Sequence, residues 1–162
     1  MRYRELRYDN ETLQDKNQIE EVLLEHDMGW LVDAEINSAR LEIINKTLVW
    51  NAGVWYNGDW YYGVFRAGEW RYGTFENGVW YNGLWKNGVF KSGIIFNGKF
   101  ENGQIVEADI RGGEFINMEI GETCKIAQNQ VKIFQKEHKF LTYQNFLKNK
   151  SISKLSIPVP PN

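Results

Sequence analysis

The most constraining feature of this chain is a glycine that returns at every fifth position from Gly53 to Gly103 without interruption. Two residues after each glycine stands a large apolar residue, beginning with Trp55 and ending with Ile105. A fixed internal period is typical of repeat architectures, in which each unit packs against its neighbours and all units share one continuous core. The sequence therefore predicts a stack of five-residue units at the centre of the chain.

Beyond Gly103 the period continues while its residues change, as in the unit Ala108-Asp-Ile-Arg-Gly. Similar units begin upstream at Ala34 and Ala39, out of register with the main array. These units resemble the repeat of the pentapeptide-repeat family, which consists of a small residue, a polar residue, Leu or Phe, and two variable positions. The Gly/Trp-rich variant seen here is similar to segments of tailed-phage structural proteins. The resemblance covers residues 34–122.

The resemblance implies an all-β fold, a right-handed quadrilateral β-solenoid with small helical or irregular caps at its two ends. In such a coil, four sides of five residues make a turn of twenty, so Trp60 should stack on Trp80. Successive coils lie about 4.8 Å apart, like hydrogen-bonded strands. The large residues point inward, and their bulk declines from Trp in the first units to Ile in the last.

The same residues allow a second geometry. Dipeptides such as Asn57-Gly58 and Asn77-Gly78 are strong signals for two-residue hairpin turns. Short strands between such turns would give a MORN-like β-meander, which is also rich in Gly, Tyr and Trp. Isolated meanders of this kind are marginally stable, and the unit at Ala108 has no hairpin signal, so the solenoid is favoured.

Three segments follow from this reading: an N-terminal cap of residues 1–33, a solenoid of residues 34–122 and a C-terminal segment of residues 123–162. In the cap, Arg2 to Tyr8 alternates like a short strand, and an amphipathic helix is predicted from Asp15 onward. Its apolar residues, with Trp30, are expected to cover the first coil: Ile19, Val22 and Leu23. A partner-binding helix is the alternative.

The C-terminal segment is basic, with seven lysines against one glutamate, a formal +6. Residues 1–47 carry six basic and eleven acidic residues, or −5, and residues 48–122 carry six and nine, or −3. The segment is predicted to form a short cap with solvated lysines and an extended Pro-rich tail from Ile157 to Asn162. The apolar residues of this cap are Val131, Phe134, Phe140, Phe146 and Leu147. Head-to-tail contact between the basic end of one copy and the acidic end of the next is the alternative.

The sequence has no recognisable catalytic motif, which predicts that the protein is not an enzyme. His26 and His138 have no metal-ligand spacing with another His or with Cys124, and there is no phosphate-binding loop. We therefore expect no cofactor, no metal and no small-molecule substrate. The N-terminus resembles neither a classical signal peptide nor a membrane span, which predicts a cytoplasmic protein, or a virion protein if the source is viral.

Function is then expected on the outward faces. With a coil of twenty residues, one apolar strip would carry Val54, Tyr56, Thr74, Ile94, Phe96 and Ile116. A second side would carry stacked tyrosines: Tyr61, Tyr62 and Tyr81. Contiguous exposed apolar surface usually marks a contact site, although the protein's own termini could cover the strip, and the tyrosines could simply stabilise adjacent rungs.

Two functions of different class follow. The favoured one is a non-enzymatic structural or adaptor protein that docks into a larger assembly, most specifically a tailed-phage fibre, baseplate or tail component. Its partners would be other protein subunits or further copies of the chain, without nucleic acid or membrane. The alternative is a DNA-mimicking regulator of a topoisomerase or another DNA-binding protein, but mimicry requires a strongly acidic rod, and the array carries only −3.

Overall fold

A computed structural model describes residues 1–134 and the backbone of residues 140 and 141. An N-terminal cap comprises β1 (Tyr3–Tyr8), β2 (Glu11–Leu13), α1 (Lys16–Glu25), α2 (Gly29–Asp33) and β3 (Glu35–Ile44). Next comes a long strand, β4 (Thr47–Asn57), whose two halves begin two sides of a β-solenoid. The predicted β-solenoid is therefore confirmed.

The solenoid has three sides, which we name faces A, B and C in chain order. Face A contains the first half of β4, β6 (Val64–Phe65), β9 (Val79–Trp80), β12 (Ile94–Ile95), β15 (Asp109–Ile110) and β18 (Lys125–Ile126). Face B contains the second half of β4, β7 (Glu69–Trp70), β10 (Leu84–Trp85), β13 (Lys99–Phe100), β16 (Gly113–Ile116) and β19 (Val131–Phe134). Face C contains β5 (Asp59–Trp60), β8 (Thr74–Phe75), β11 (Val89–Phe90), β14 (Gly103–Ile105) and β17 (Met118–Ile120).

The coil has fifteen residues and three sides, so the predicted quadrilateral coil of twenty is wrong. Parallel pairing joins Trp55 to Trp70 and Trp70 to Trp85. Trp60 stacks on Phe75, with ring centroids 5.5 Å apart, and not on Trp80. A repeat of five residues determines the length of one side and its corner, but not how many sides close the coil. The number four came only from the family resemblance.

Packing between the sides explains why three of them close. Each side sends one large side chain inward, and from Gly53 to Gly103 the glycine of each unit contributes no side chain to the interior. In the first coil the rings of Trp50, Trp55 and Trp60 meet edge to face. The centroid of the Trp50 ring lies 6.0 Å from that of Trp55 and 6.4 Å from that of Trp60, and the Trp55 and Trp60 centroids lie 5.8 Å apart. Such contacts are favourable for aromatic rings, and three of them complete a triangle. Further down the stack, Ile95, Phe100 and Ile105 fill one coil and are fully buried.

Glycine is required at the corners by conformation and by space. Gly83 has a φ of +128°, and a Cβ atom there would lie 2.6 Å from the carbonyl oxygen of Gly68 on the preceding coil. Only glycine adopts such a backbone without strain. The corner glycines also accept backbone hydrogen bonds from the next coil: Leu84 N donates to Gly68 O at 2.9 Å, and Lys99 N donates to Gly83 O at 3.0 Å.

The MORN-like alternative is also wrong. Consecutive short strands lie on different faces, and each pairs in parallel with strands one coil away. A type I′ hairpin turn requires positive φ at both central residues. In Asn57-Gly58, however, positive φ occurs only at Gly58, at +136°. The asparagine instead supports the corner, since Asn57 Oδ1 accepts a hydrogen bond from Gly58 N at 2.9 Å.

The cap packs against the first coil through α2, which confirms the predicted role of Trp30, and α1 packs on α2 and β1. The α1 helix begins after Asp15, whose carboxylate accepts a hydrogen bond from Gln18 N at 3.1 Å. Ile19 and Leu23 are fully buried, and Val22 packs against the same core. The Trp30 ring meets the Trp60 ring at 5.2 Å.

The upstream units at Ala34 and Ala39 do not form a coil. The strand β3 contains most of them and pairs antiparallel to β4 through a hairpin at Asn45-Lys46, where both residues have positive φ. On its other side, β3 pairs in parallel with β1. The pentapeptide pattern fits these residues because it requires only an alternation of small and apolar positions, which an antiparallel strand also has.

Arg2 joins the cap elements. Its guanidinium donates to the carbonyl oxygens of Leu31, Val32 and Ala34 at 2.9, 2.5 and 2.6 Å, at the end of α2. It also contacts Glu20 at 3.2 Å, and the Tyr3 hydroxyl donates to that carboxylate at 2.7 Å. Burial, followed by this hydrogen bond, raises the pKa of Tyr3 above its usual range. The phenol therefore stays neutral and a donor.

The stack continues past Glu122. β18 adds Ile126 to face A, and β19 adds the buried residues Val131 and Ile133 to face B. Val131 thus belongs to the last coil and is not part of a separate cap. A short strand, β20 (Phe140–Leu141), pairs antiparallel to β19. The predicted cap residues Phe146 and Leu147 and the Pro-rich tail lie outside the described residues. None of the helices described is long and apolar enough to cross a membrane.

Candidate interaction surfaces

Each strand of the solenoid presents two outward residues, one before and one after its inward residue. On face A the solvent-accessible residues before it form a first column: Val64, Val79, Ile94, Asp109 and Lys125. The residues after it form a second column: Arg66, Tyr81, Phe96 and Arg111. Side chains on a strand alternate between its two sides, so the columns flank the buried row of Phe65, Trp80, Ile95 and Ile110.

The coil of fifteen residues divides the predicted apolar strip among the three faces. Ile94 and Phe96 lie on face A, Val54, Tyr56 and Ile116 lie on face B, and Thr74 lies on face C. The predicted tyrosine group is divided as well, because Tyr81 lies on face A whereas Tyr61 follows the face C strand β5. Both predicted groups are therefore wrong, because each assumed that residues twenty positions apart lie on the same face.

Face A instead has an aromatic stack. The rings of Tyr81 and Phe96 lie 4.7 Å apart and nearly parallel, at 11°. The Arg111 guanidinium carbon lies 5.2 Å from the centroid of the Phe96 ring, within the range of a cation–π contact. Arg111 Nη2 also donates to Asp109 Oδ2 at 2.9 Å, and this hydrogen bond raises the pKa of Arg111. Three consecutive coils are thus joined across the outer surface.

The first column of face A is apolar over three coils. Val64 pairs with Val79, and Val79 pairs with Ile94. All three side chains are partly exposed, and 45% of the neighbouring Tyr81 is accessible. An apolar column beside an aromatic stack makes a continuous patch, with charged residues at its lower end.

Face B is mixed in character. Arg71 lies 4.7 Å from the ring centroid of Tyr56 and forms an ion pair with Glu69. Below them the outward residues are one apolar residue, Leu84, followed by two of opposite charge, Lys99 and Glu114. A cleft of about 470 Å³ beside this column is lined mainly by polar and charged residues: Asn82, Asn97, Lys99, Glu114, Gln130 and Lys132. No aromatic side chain lines it.

Face C carries exposed tyrosines near the cap. Tyr61 and Tyr62 are 50% and 59% accessible. The Tyr61 ring meets Trp30 edge to face at 6.2 Å, so one tyrosine stabilises the junction with the cap. On the next two coils, Glu76 and Lys91 form an ion pair at 3.3 Å.

Metal-ligating side chains do not cluster in the part of the chain that the structure describes. Among residues 1–134, no group of three or more His, Cys, Asp or Glu side chains could hold a metal ion. His26 Nδ1 lies 2.9 Å from Val22 O, and its ring packs edge to face on Tyr8 at 4.9 Å. These contacts are those of a helix-end residue within the cap.

The contact between Phe96 and Arg111 was missed from the sequence, although a spacing of fifteen would have revealed it. Residues 66, 81, 96 and 111 form the series Arg, Tyr, Phe, Arg at that interval. An interval of twenty groups other residues. No family model, curated protein or solved structure matches the chain.

Proposed function

We propose that this chain is a non-enzymatic structural or adaptor protein, a rigid β-solenoid that docks onto other protein subunits through face A. The observation that carries the proposal is the continuous outward patch of Val64, Val79, Ile94, Tyr81 and Phe96. Contiguous exposed apolar surface of this kind is typical of protein contact sites. Aromatic residues are also enriched in the buried centres of interfaces.

The interior supports a mechanical role. Rings of adjacent coils stack along each face, for example Trp55 on Trp70 at 4.8 Å and Phe65 on Trp80 at 4.2 Å. Close-packed interiors have low compressibility and transmit strain. A surface built on such a core keeps its shape, so docking requires little ordering of the backbone.

The similarity of the Gly/Trp-rich units to segments of tailed-phage structural proteins makes the proposal more specific. A fibre, baseplate or tail component located in the virion would use a short rigid rod of this kind. This part of the proposal depends on the resemblance alone. For a cellular source, the same docking role would be cytoplasmic.

The distribution of charge does not favour a DNA-mimicking regulator. Three of the nine acidic residues between positions 48 and 122 form ion pairs with neighbouring cations: Glu69–Arg71, Glu76–Lys91 and Asp109–Arg111. A mimic of the phosphate backbone requires an uninterrupted row of negative charge. The docking role is therefore the function that we propose.

Site-specific photo-crosslinking in the native host would test the docking role. A photoreactive phenylalanine analogue is placed at Tyr81 or Phe96 on face A, and at Tyr56 or Tyr61 as matched positions on faces B and C. We expect discrete protein adducts, identified by mass spectrometry, from face A and much weaker ones from the two control positions. Equal adducts from all three faces, or none from face A, would contradict the proposal.

A further inference from the structure

We propose that face A binds face A of a second copy of this chain, in a parallel side-by-side dimer whose two-fold axis runs along the solenoid. This inference rests on the proposed docking role of face A and names the partner. The observation behind it is the arrangement of the two outward columns, which are complementary to each other at the coil levels of Val79, Ile94 and Asp109.

The symmetry fixes which residues meet. The two columns of face A are separated by two residues of one strand, roughly 6.6 Å. A two-fold axis that runs along the solenoid between them exchanges left and right but keeps the coil level. The first column of one copy therefore faces the second column of the other copy at the same level, and each contact occurs twice.

The chemistry matches at these levels. Val79 would face Tyr81 of the second copy, and one coil lower Ile94 would face Phe96. At the next level Asp109 would face Arg111, and the reciprocal pair would lie beside it. Val64 would face the aliphatic part of Arg66, a usual role for the stem of a long cationic side chain. The result is an apolar centre with a charged row at its lower edge, as in natural interfaces.

Other arrangements match less well. A two-fold axis along the strands, centred between Val79 and Ile94, would reverse the coil order and bring Arg66 against Arg111 of the second copy. Like charges in direct opposition weaken an interface. Face B also has rows of opposite charge, including Glu69 with Arg71, but its outward columns lack a continuous apolar centre. Face A therefore offers the better surface for self-association.

The size of the face predicts a weak dimer. Four coils about 4.8 Å apart and sides about 16 Å long cover roughly 300 Å² per copy. Stable interfaces bury about 800 Å² per partner. We therefore expect a monomer–dimer equilibrium that depends on concentration and is driven toward the dimer where an assembly holds copies side by side.

Complementary charge reversals on face A provide the test. Asp109→Arg makes the charged row wholly positive, and Arg111→Asp makes it wholly negative. Sedimentation equilibrium from micromolar to millimolar protein should show each variant dimerising about tenfold more weakly than the parent. A one-to-one mixture of the two should recover the parental affinity, because two arginines of one chain then face two aspartates of the other.

Face B supplies matched controls, since Glu69 and Arg71 have the same spacing and the same type of ion pair. Glu69→Arg and Arg71→Glu should leave the dimer affinity within about twofold of the parent. Circular dichroism and melting temperature verify that each variant is folded. A dimer that responds equally to both pairs of variants, or a mixture that does not recover, would overturn the parallel arrangement.

The outcomes separate this inference from the proposed function. A chain that stays monomeric at every concentration, yet crosslinks to a different protein from face A, overturns self-association and leaves the docking role intact. A dimer that is indifferent to all four charge reversals would overturn face A as the self-association surface. Photo-adducts from face A whose mass is that of two copies of the chain support both.

Discussion

Replacing one corner glycine by alanine tests the geometry of the whole stack. Gly83 has a φ of +128°, and an added Cβ would lie 2.6 Å from Gly68 O and 3.2 Å from Gly68 N. A residue held in a sparsely populated backbone region costs about 1 to 3 kcal/mol. Relief of the contact moves one coil away from the next and weakens the bonds from Leu84 N to Gly68 O and from Lys99 N to Gly83 O.

Each of those hydrogen bonds contributes about 1 kcal/mol. Added to the backbone strain, they predict that Gly83→Ala lowers the free energy of unfolding by about 3 to 5 kcal/mol. Domains of ordinary stability have about 5 to 15 kcal/mol in total, so the loss is large. The assay is urea unfolding followed by tryptophan fluorescence, with the midpoint and slope compared with those of the parent.

Two glycines of the same chain serve as controls. Gly113 has a similar φ of +112°, but its Cβ would lie 3.0 Å from Gly98 O, so Gly113→Ala should cost less, about 1 to 3 kcal/mol. Gly29 lies in α2, and its Cβ would meet only Leu24 Cδ2, at 3.4 Å. Gly29→Ala should stabilise slightly, by up to about 1 kcal/mol. If Gly83→Ala unfolds like the parent, the close stacking of corner backbones is refuted.

Two further predictions concern the core and the coil length. Trp85 Nε1 donates to Asn102 O at 3.1 Å, whereas the buried Nε1 of Trp70 has no acceptor. Trp85→Phe should therefore lower the free energy of unfolding by about 1 to 3 kcal/mol more than Trp70→Phe does. The same urea assay measures both variants. Cysteines replacing Glu76 and Lys91, fifteen residues apart and joined by an ion pair, should form an intramolecular disulfide on mild oxidation. Cysteines twenty apart should not, and formation by both pairs would contradict the three-sided coil.

The core was predictable because its signal lies within each unit. Trp60, Phe75 and Ile105 are inward in any stack of five-residue units, and all three are fully buried. The signal for the cap helix also lies within one short segment, since Asp15 caps the helix and the apolar residues Ile19 and Leu23 lie on one face of it. Neither prediction depends on how many sides the coil has.

The outer surface was not predictable in the same way. Its neighbours depend on the number of residues per coil, and a five-residue period is compatible with three sides or four. Tyr81 and Phe96 form a stack only because fifteen residues separate them. The antiparallel β3 was missed for a related reason, because residues 34–44 fit the repeat pattern while the hairpin at Asn45-Lys46 reverses the chain.

This division between core and surface bears directly on function. Because one glycine and one large apolar residue per unit satisfy the fold, the remaining three positions of each unit can vary with little effect on packing. Neighbouring residues of an outward column on such a rod are fifteen positions apart in the sequence, as in the series from Arg66 through Tyr81 and Phe96 to Arg111. The inward residues of the same strands, Trp80 and Ile95, are fully buried and hold that series on a rigid sheet. Under the proposed docking role, the outward columns would set specificity for the partner, and changes to those columns should alter assembly before they alter stability.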